Sequence, residues 1–131
     1  MSKAITVTLP LRTLSPNRSR NNLRQWMKMK AEHRTIARTL TVDTLCRVGR
    51  SMWVGIGQDR QSVWDGFTIT LTRLAPRTLD DDNAIGSMKS ARDGVSDALG
   101  VDDSDPRLTW RYGQEKARDY SVRVEIQIQE V

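Results

Sequence analysis

Apolar residues alternate with threonines at the start of the chain: Ile5, Val7 and Leu9 face one way, Thr6 and Thr8 the other. That two-residue period predicts a strand over Ala4 to Leu9, ended by Pro10. A polar, basic loop follows between Ser15 and Asn22. From Leu23 to Val48 no Gly or Pro interrupts, and Trp26, Met29, His33, Ile36, Ala37 and Leu40 recur at helical spacing. A long helix is expected, with Thr41–Thr44 as the place where it would divide in two and Gly49 as its stop. Residues 49–65 read as a glycine-rich loop with a short strand near Trp53 to Ile56. Phe67, Ile69 and Leu71 alternate again and predict a second strand. Asn83 to Leu99 carries Ala84, Met88, Ala91, Val95 and Ala98 on one stripe, the mark of an amphipathic helix ended by Gly100. Leu108 to Tyr112 and the strict alternation of Val122, Val124, Ile126 and Ile128 supply two more strands. The order β-α-β-α-β-β predicts a single α+β domain over 1–131, with a small mixed sheet and two principal helices.

Length and composition agree with one domain: 131 residues, 37% hydrophobic and 28% charged. No run reaches the roughly 18 apolar residues of a membrane span, and the N-terminus lacks the apolar core of a secretory signal. With Cys46 as the single cysteine, an internal disulfide and cysteine-based zinc sites are excluded, and a cytoplasmic location is expected.

Charge changes the picture more. The net charge is +5, yet residues 80–105 hold eight aspartates against Lys89 and Arg92. Residues 11–50 carry ten Lys/Arg against Glu32 and Asp43. A basic body suits a polyanion, since neutralising phosphates releases counterions. An acidic island suits divalent cations that bridge carboxylate to phosphate. Asp80, Asp81, Asp82 and Asn83 stand where strand gives way to helix; in extended backbone Asp80 and Asp82 point the same way and can share an ion. Asp102 and Asp103 follow the helix, with Asp105 close behind. Magnesium held by such carboxylates activates water and neutralises charge on phosphorus, and a lysine such as Lys89, near Asp93, stabilises the transition state. The competing reading is structural: Asp before a helix caps it, and Asp runs in loops are solvated. Three consecutive aspartates weigh against it, because their repulsion calls for a cation.

Arg77-x-x-Asp80-x-Asp82-Asn83, then Lys89, Asp93 and Gly100-x-Asp102-Asp103, resembles the RusA family of Holliday-junction resolvases and their phage-encoded relatives. Ile-Thr-Val-Thr-Leu-Pro followed by Ser-Pro-Asn-Arg resembles that family's first strand and basic loop. The resemblance implies a homodimer that binds four-way DNA junctions and nicks two strands symmetrically with Mg²⁺ or Mn²⁺. It implies Asp80, Asp82 and Asp103 as metal ligands, with Asp102 as the other candidate, and Lys89 as the essential lysine. Lys89 stands seven residues past Asp82, whereas the family's lysine follows by about one helical turn. A straight helix from Asn83 to Leu99 would span about 25 Å, too far for Gly100–Asp103 to retrace. A helix starting late, near Ser87, is therefore expected, so that Asp103 can return to Asp80.

Arg12, Arg18, Arg20 and Arg24 are candidate phosphate contacts, extended by Arg77 and Arg107, with Arg111 and Lys116 beside them. His33 lines up with Trp26, Met29 and Ile36 and reads as a packed residue. The four tryptophans read chiefly as core or interface, with Trp53 and Trp64 as the pair placed to stack on an exposed base. Two further functional classes stay open: a junction-binding module without catalysis, and a structural protein whose basic face binds a protein partner.

Overall fold

The computed structural model describes residues 2–13, 23–48 and 64–130. Strand β1 (Ser2–Leu9) leads to helix α1 (Leu23–Val48), then β2 (Trp64–Ala75), α2 (Asp81–Ser87), α3 (Lys89–Leu99), β3 (Leu108–Lys116) and β4 (Ser121–Glu130). The four strands form one mixed sheet in the order β1-β4-β2-β3. β4 runs antiparallel to both β1 and β2, while β2 and β3 are parallel, with Phe67 opposite Leu108 and Ala75 opposite Lys116. The expected α+β class, one domain with a small mixed sheet, is the fold observed. Three helices stand among the described residues rather than two, and the order is β-α-β-α-α-β-β. The expected strand near Trp53 and the stop at Gly49 lie outside the described residues.

The two-residue period does what it predicts. Ile5, Val7, Leu9, Phe67, Ile69, Leu71, Val122, Val124 and Ile126 are buried in one cluster. Thr6, Thr8 and Glu125 face solvent on the opposite side of the sheet. All helical burial therefore falls on a single face of the sheet. α1 runs unbroken through Thr41–Thr44. The hydroxyls of Thr35 and Thr44 donate back to the carbonyls of Ala31 and Leu40, at 3.1 and 2.9 Å, which lets threonine sit inside a helix.

α1 crosses α3 at Gly94, where any Cβ would fall against the Arg34 carbonyl and within 2.5 Å of the Ala37 methyl. Beside this crossing Arg34 grips Asp97 through Nε and Nη2 at 2.7 and 2.9 Å.

The helix expected to begin late begins early instead, at Asp81, and breaks in the middle. Ser87 Oγ donates to the Ala84 carbonyl at 2.7 Å, and the Met88 amide turns to the Ile85 carbonyl at 3.1 Å. The hydroxyl has taken the acceptor that a continuous helix would give to residue 88. Met88, fully buried at φ −104 and ψ 7, anchors the break in the core, and α3 starts afresh at Lys89. Gly100 ends α3 as expected. At φ 76 it donates to Ser96 and Asp97, and Val101 also reaches Ser96, closing the last turn.

Candidate active-site groove

The acidic segment is held before it turns helical. Arg73 points inward from β2 with 4% exposure. Its Nε donates to Thr13 Oγ1 at 2.8 Å and its Nη1 to the Arg77 carbonyl at 2.7 Å. Burial pulls this guanidinium below its ordinary pKa, partly offset by Tyr120. Two residues on, the Leu79 amide donates to Gln114 Oε1 at 2.9 Å, and Gln114 Nε2 donates to the Leu79 carbonyl at 2.7 Å. Asp80 follows in extended conformation.

Asp80 makes no side-chain cap to the helix; its carboxylate accepts from the Asn83 amide instead. Asp80 thus occupies the N-cap position of α2 without the side-chain bond that a capping aspartate makes. The extended spacing expected to align Asp80 with Asp82 is absent too, because α2 starts at Asp81 and places Asp82 in its first turn. There the negative charges of Asp81 and Asp82 oppose the positive end of the helix, and all three aspartates are exposed.

At the other end of this crossover, the break at Met88 brings Lys89 to Asp103. Lys89 Nζ lies 2.9 Å from Asp93 Oδ1 and 3.3 Å from Asp103 Oδ2. Arg92 Nε reaches the same Asp103 oxygen at 3.0 Å, and its Nη2 takes the Asp103 carbonyl at 3.2 Å. Its Nη1 donates to the Tyr112 hydroxyl at 2.7 Å, and its guanidinium lies over the Trp110 ring. Hydrogen bonding to Asp93 raises the Lys89 pKa, against burial and together with Asp103. Burial works against ionisation of Asp103. Hydrogen bonding with Asp102 and Lys89 and the charges of Lys89 and Arg92 outweigh it, holding the carboxyl below the usual range.

One strand measures the separation between these ends. Trp110, Tyr112 and Gln114 alternate along β3 and so share a face. Trp110 Nε1 donates to the Asp103 carbonyl at 2.9 Å, Tyr112 holds Arg92, and Gln114 holds Leu79. Four residue steps along the strand separate the first anchor from the last, a rise of about 13 Å. Between them lie two hollows that share Ile85 and Tyr112, of ≈ 560 and ≈ 620 Å³. Lys30, Lys89, Arg92 and Asp103 line the first; Asp81, Arg111 and Gln114 line the second.

Among the described residues no three carboxylate, imidazole or thiolate side chains stand together as one metal-holding group. Asp80 and Asp82 lie at one end of the groove and Asp103, with Asp102 beside it, at the other. The donors at both ends are nonetheless hard carboxylate oxygens, the type Mg²⁺ takes. That ion is ordinarily held by one or two carboxylates, with waters and substrate phosphate filling its shell.

The candidate phosphate contacts fall in different places. Arg12 is exposed and stacks over Tyr120, 5.1 Å from the ring centroid, close to the Arg73–Arg77 connection. Arg24 is exposed in the first turn of α1, and Arg77 is exposed beside the acidic segment. Arg107 is occupied by Asp105, which it meets at 2.9 and 3.0 Å. Arg18, Arg20 and Trp53 lie outside the described residues, as does the side chain of Trp64. His33 is half-buried and burial lowers its pKa, as a packed residue's should be. Missed from the sequence were Trp26 and Lys30 as groove residues, Arg92 as a partner of Asp103, Tyr112 as the hydroxyl that receives Arg92, and Gln114 as the clamp on Leu79. The alternation of Trp110, Tyr112 and Gln114 was the available signal for the last two.

No family model matches the chain. An uncharacterized protein of Xylella fastidiosa strain Temecula1 is 32% identical over 104 residues, which cover 77% of this chain and 60% of that protein. The match thus spans less than two thirds of that relative's length. No helix of the described residues is long and apolar enough to cross a membrane.

Proposed function

We propose that the chain is a metal-dependent, structure-selective DNA endonuclease of the RusA type, which resolves four-way junctions and other branched DNA by paired nicks. On this reading it works as a homodimer, because symmetric nicking needs two sites, in the cytoplasm of a bacterial or phage-infected cell. The observation that carries the reading is the approach of Lys89 to Asp103, 3.3 Å apart across fourteen residues of chain. Those two residues, singled out by motif, meet in a groove that also exposes cationic side chains.

Lys89 keeps its proton at neutral pH, since its pKa is raised. Its role is to stabilise negative charge on the reacting phosphate or leaving oxygen rather than to abstract a proton. Arg92 holds Asp103 in place through both its side chain and its backbone carbonyl. The residues that would hold Mg²⁺ or Mn²⁺ are carboxylates at one end of the groove, Asp80 and Asp82, or at the other, Asp103 and Asp102, with waters and substrate phosphate completing the shell. When bound, the ion lowers the pKa of a coordinated water and neutralises phosphate charge. Arg12, Arg24 and Arg77 contact backbone phosphates of the arms.

A second reading is a junction-binding module without catalysis. The observation favouring it is that Lys89 and Arg92 already neutralise Asp103, at the far end of the groove from Asp80. Cleavage of a synthetic four-way junction in Mg²⁺, Mn²⁺ or EDTA, with linear duplex as control, separates the two. Metal-dependent nicking of the junction, abolished in Asp82→Asn with binding retained, is the expected result. Tight junction binding with no cleavage in either metal would give the second reading its place, and failure to bind DNA at all would remove both.

A further inference from the structure

We infer that the hollow beneath Trp26 receives a single unstacked nucleobase, so that the groove selects branched DNA by admitting a base that duplex keeps paired. The inference rests on the DNA reading above. Trp26, Ile85 and Tyr112 give this hollow of ≈ 560 Å³ its apolar walls, and Lys30, Lys89 and Arg92 give it positive charge. Of the two walls with rings, Tyr112 packs against the hydrophobic core, as Trp110 does; among the described residues Trp26 does not join that cluster. Core packing among those residues therefore does not account for an indole at this position. Trp26 is half-buried at the groove margin, one helical turn before Lys30, whose Nζ lies 5.8 Å from the ring centroid.

The chemistry of the hollow matches a nucleotide in both parts. A base has a flat π-face that stacks on an indole whatever its identity. Its flanking phosphates meet three cations against Asp103. In duplex DNA that face is covered by neighbouring bases, and removing one from the stack takes a few kcal/mol, least where pairing is already lost. A pocket that needs a free base therefore favours a branch point over a linear arm without reading sequence.

The test is equilibrium binding, in EDTA so that nothing is cut, of a four-way junction carrying 2-aminopurine beside the crossover. Wild type, Trp26→Phe and Trp26→Ala are compared, with a linear duplex carrying the same probe. Stacking on the indole keeps probe emission quenched in the wild-type complex. Trp26→Ala should give a brighter complex and bind the junction about tenfold more weakly, with duplex affinity unchanged and Trp26→Phe between. Circular dichroism checks that the variants fold. Equal emission and equal junction affinity in wild type and Trp26→Ala would overturn the inference and leave the endonuclease reading standing. So would sedimentation showing that Trp26→Ala splits a dimer, since the indole would then be covered by a second copy. A wild-type protein that binds neither junction nor duplex would overturn the DNA reading itself and the inference with it.

Discussion

Gln114 holds Leu79 by both of its backbone polar groups, accepting from the amide at 2.9 Å and donating to the carbonyl at 2.7 Å. A side-chain amide here does what a neighbouring strand would do, and it fixes the residue immediately before Asp80. Gln114→Ala should lower stability by about 1–3 kcal/mol, the worth of two hydrogen bonds. It should reduce junction cleavage more than junction binding. Gln114→Glu keeps the acceptor but loses the donor, so it should fall between. Urea unfolding and hydrogen exchange at the Leu79 amide measure the effect directly; unchanged protection of that amide in Gln114→Ala would show that the clamp is dispensable.

Gly94 is where two helices touch through their backbones. Its missing Cβ leaves room for the Arg34 carbonyl and the Ala37 methyl of α1. Gly→Ala inside an exposed helix usually gains stability. Here the sign reverses: Gly94→Ala should destabilise by about 1–3 kcal/mol, the range for overpacking. Thermal unfolding decides it.

Thr41 lies on the buried face of α1, and its hydroxyl has no hydrogen-bond partner among the described residues. Thr41→Val keeps the shape and removes the unsatisfied group. It should raise stability by about 1 kcal/mol, read as a higher urea midpoint with an unchanged slope.

Asp97 sets part of the acid limb. Hydrogen bonds from Arg34 lower its pKa, against burial and aided by the charges of Arg34 and Arg38. A depressed carboxylate contributes stability that is complete above its unfolded value, roughly 3.9. The contribution is lost as pH falls through the lower folded value. Asp97→Asn should therefore be less stable than wild type at pH 7 by about 1 kcal/mol at most, given the exposure of both partners. The difference should shrink as pH falls below about 4. A gap that stays constant down to pH 2 would exclude the pair as its source.

Much of this was legible in advance because single-face burial writes itself into the sequence. α1 runs between the residues where Gly and Pro are absent, and the threonine alternation marks β1 and β2. Gly100 announces the end of α3. What could not be read is set by contacts between distant positions. The break at Met88 depends on which carbonyl the Ser87 hydroxyl takes. β2 and β3 are parallel because the crossover carries two helices, and nothing in the alternation of either strand distinguishes parallel from antiparallel. Arg73 looks like a solvent-facing strand residue until Thr13 and the Arg77 carbonyl are seen to receive it. At the site, the motif found Lys89 and Asp103. No motif measures the span of β3 that keeps Asp80 at the other end of the groove.

Because β2 and β3 run side by side in the same direction, the chain must travel the length of the sheet between them. Every acidic and basic group proposed for the chemistry, from Asp80 to Asp103, lies on that return journey, while Trp26 and Lys30 arrive on a separate helix. The two sets are separate in sequence but not in packing: Trp110, Tyr112 and Gln114 hold the return journey from β3, and Arg34 of α1 grips Asp97. Moving the proposed chemistry into a related sheet should therefore require β3 to travel with it, whereas Trp26 and Lys30 can be changed without altering those anchors.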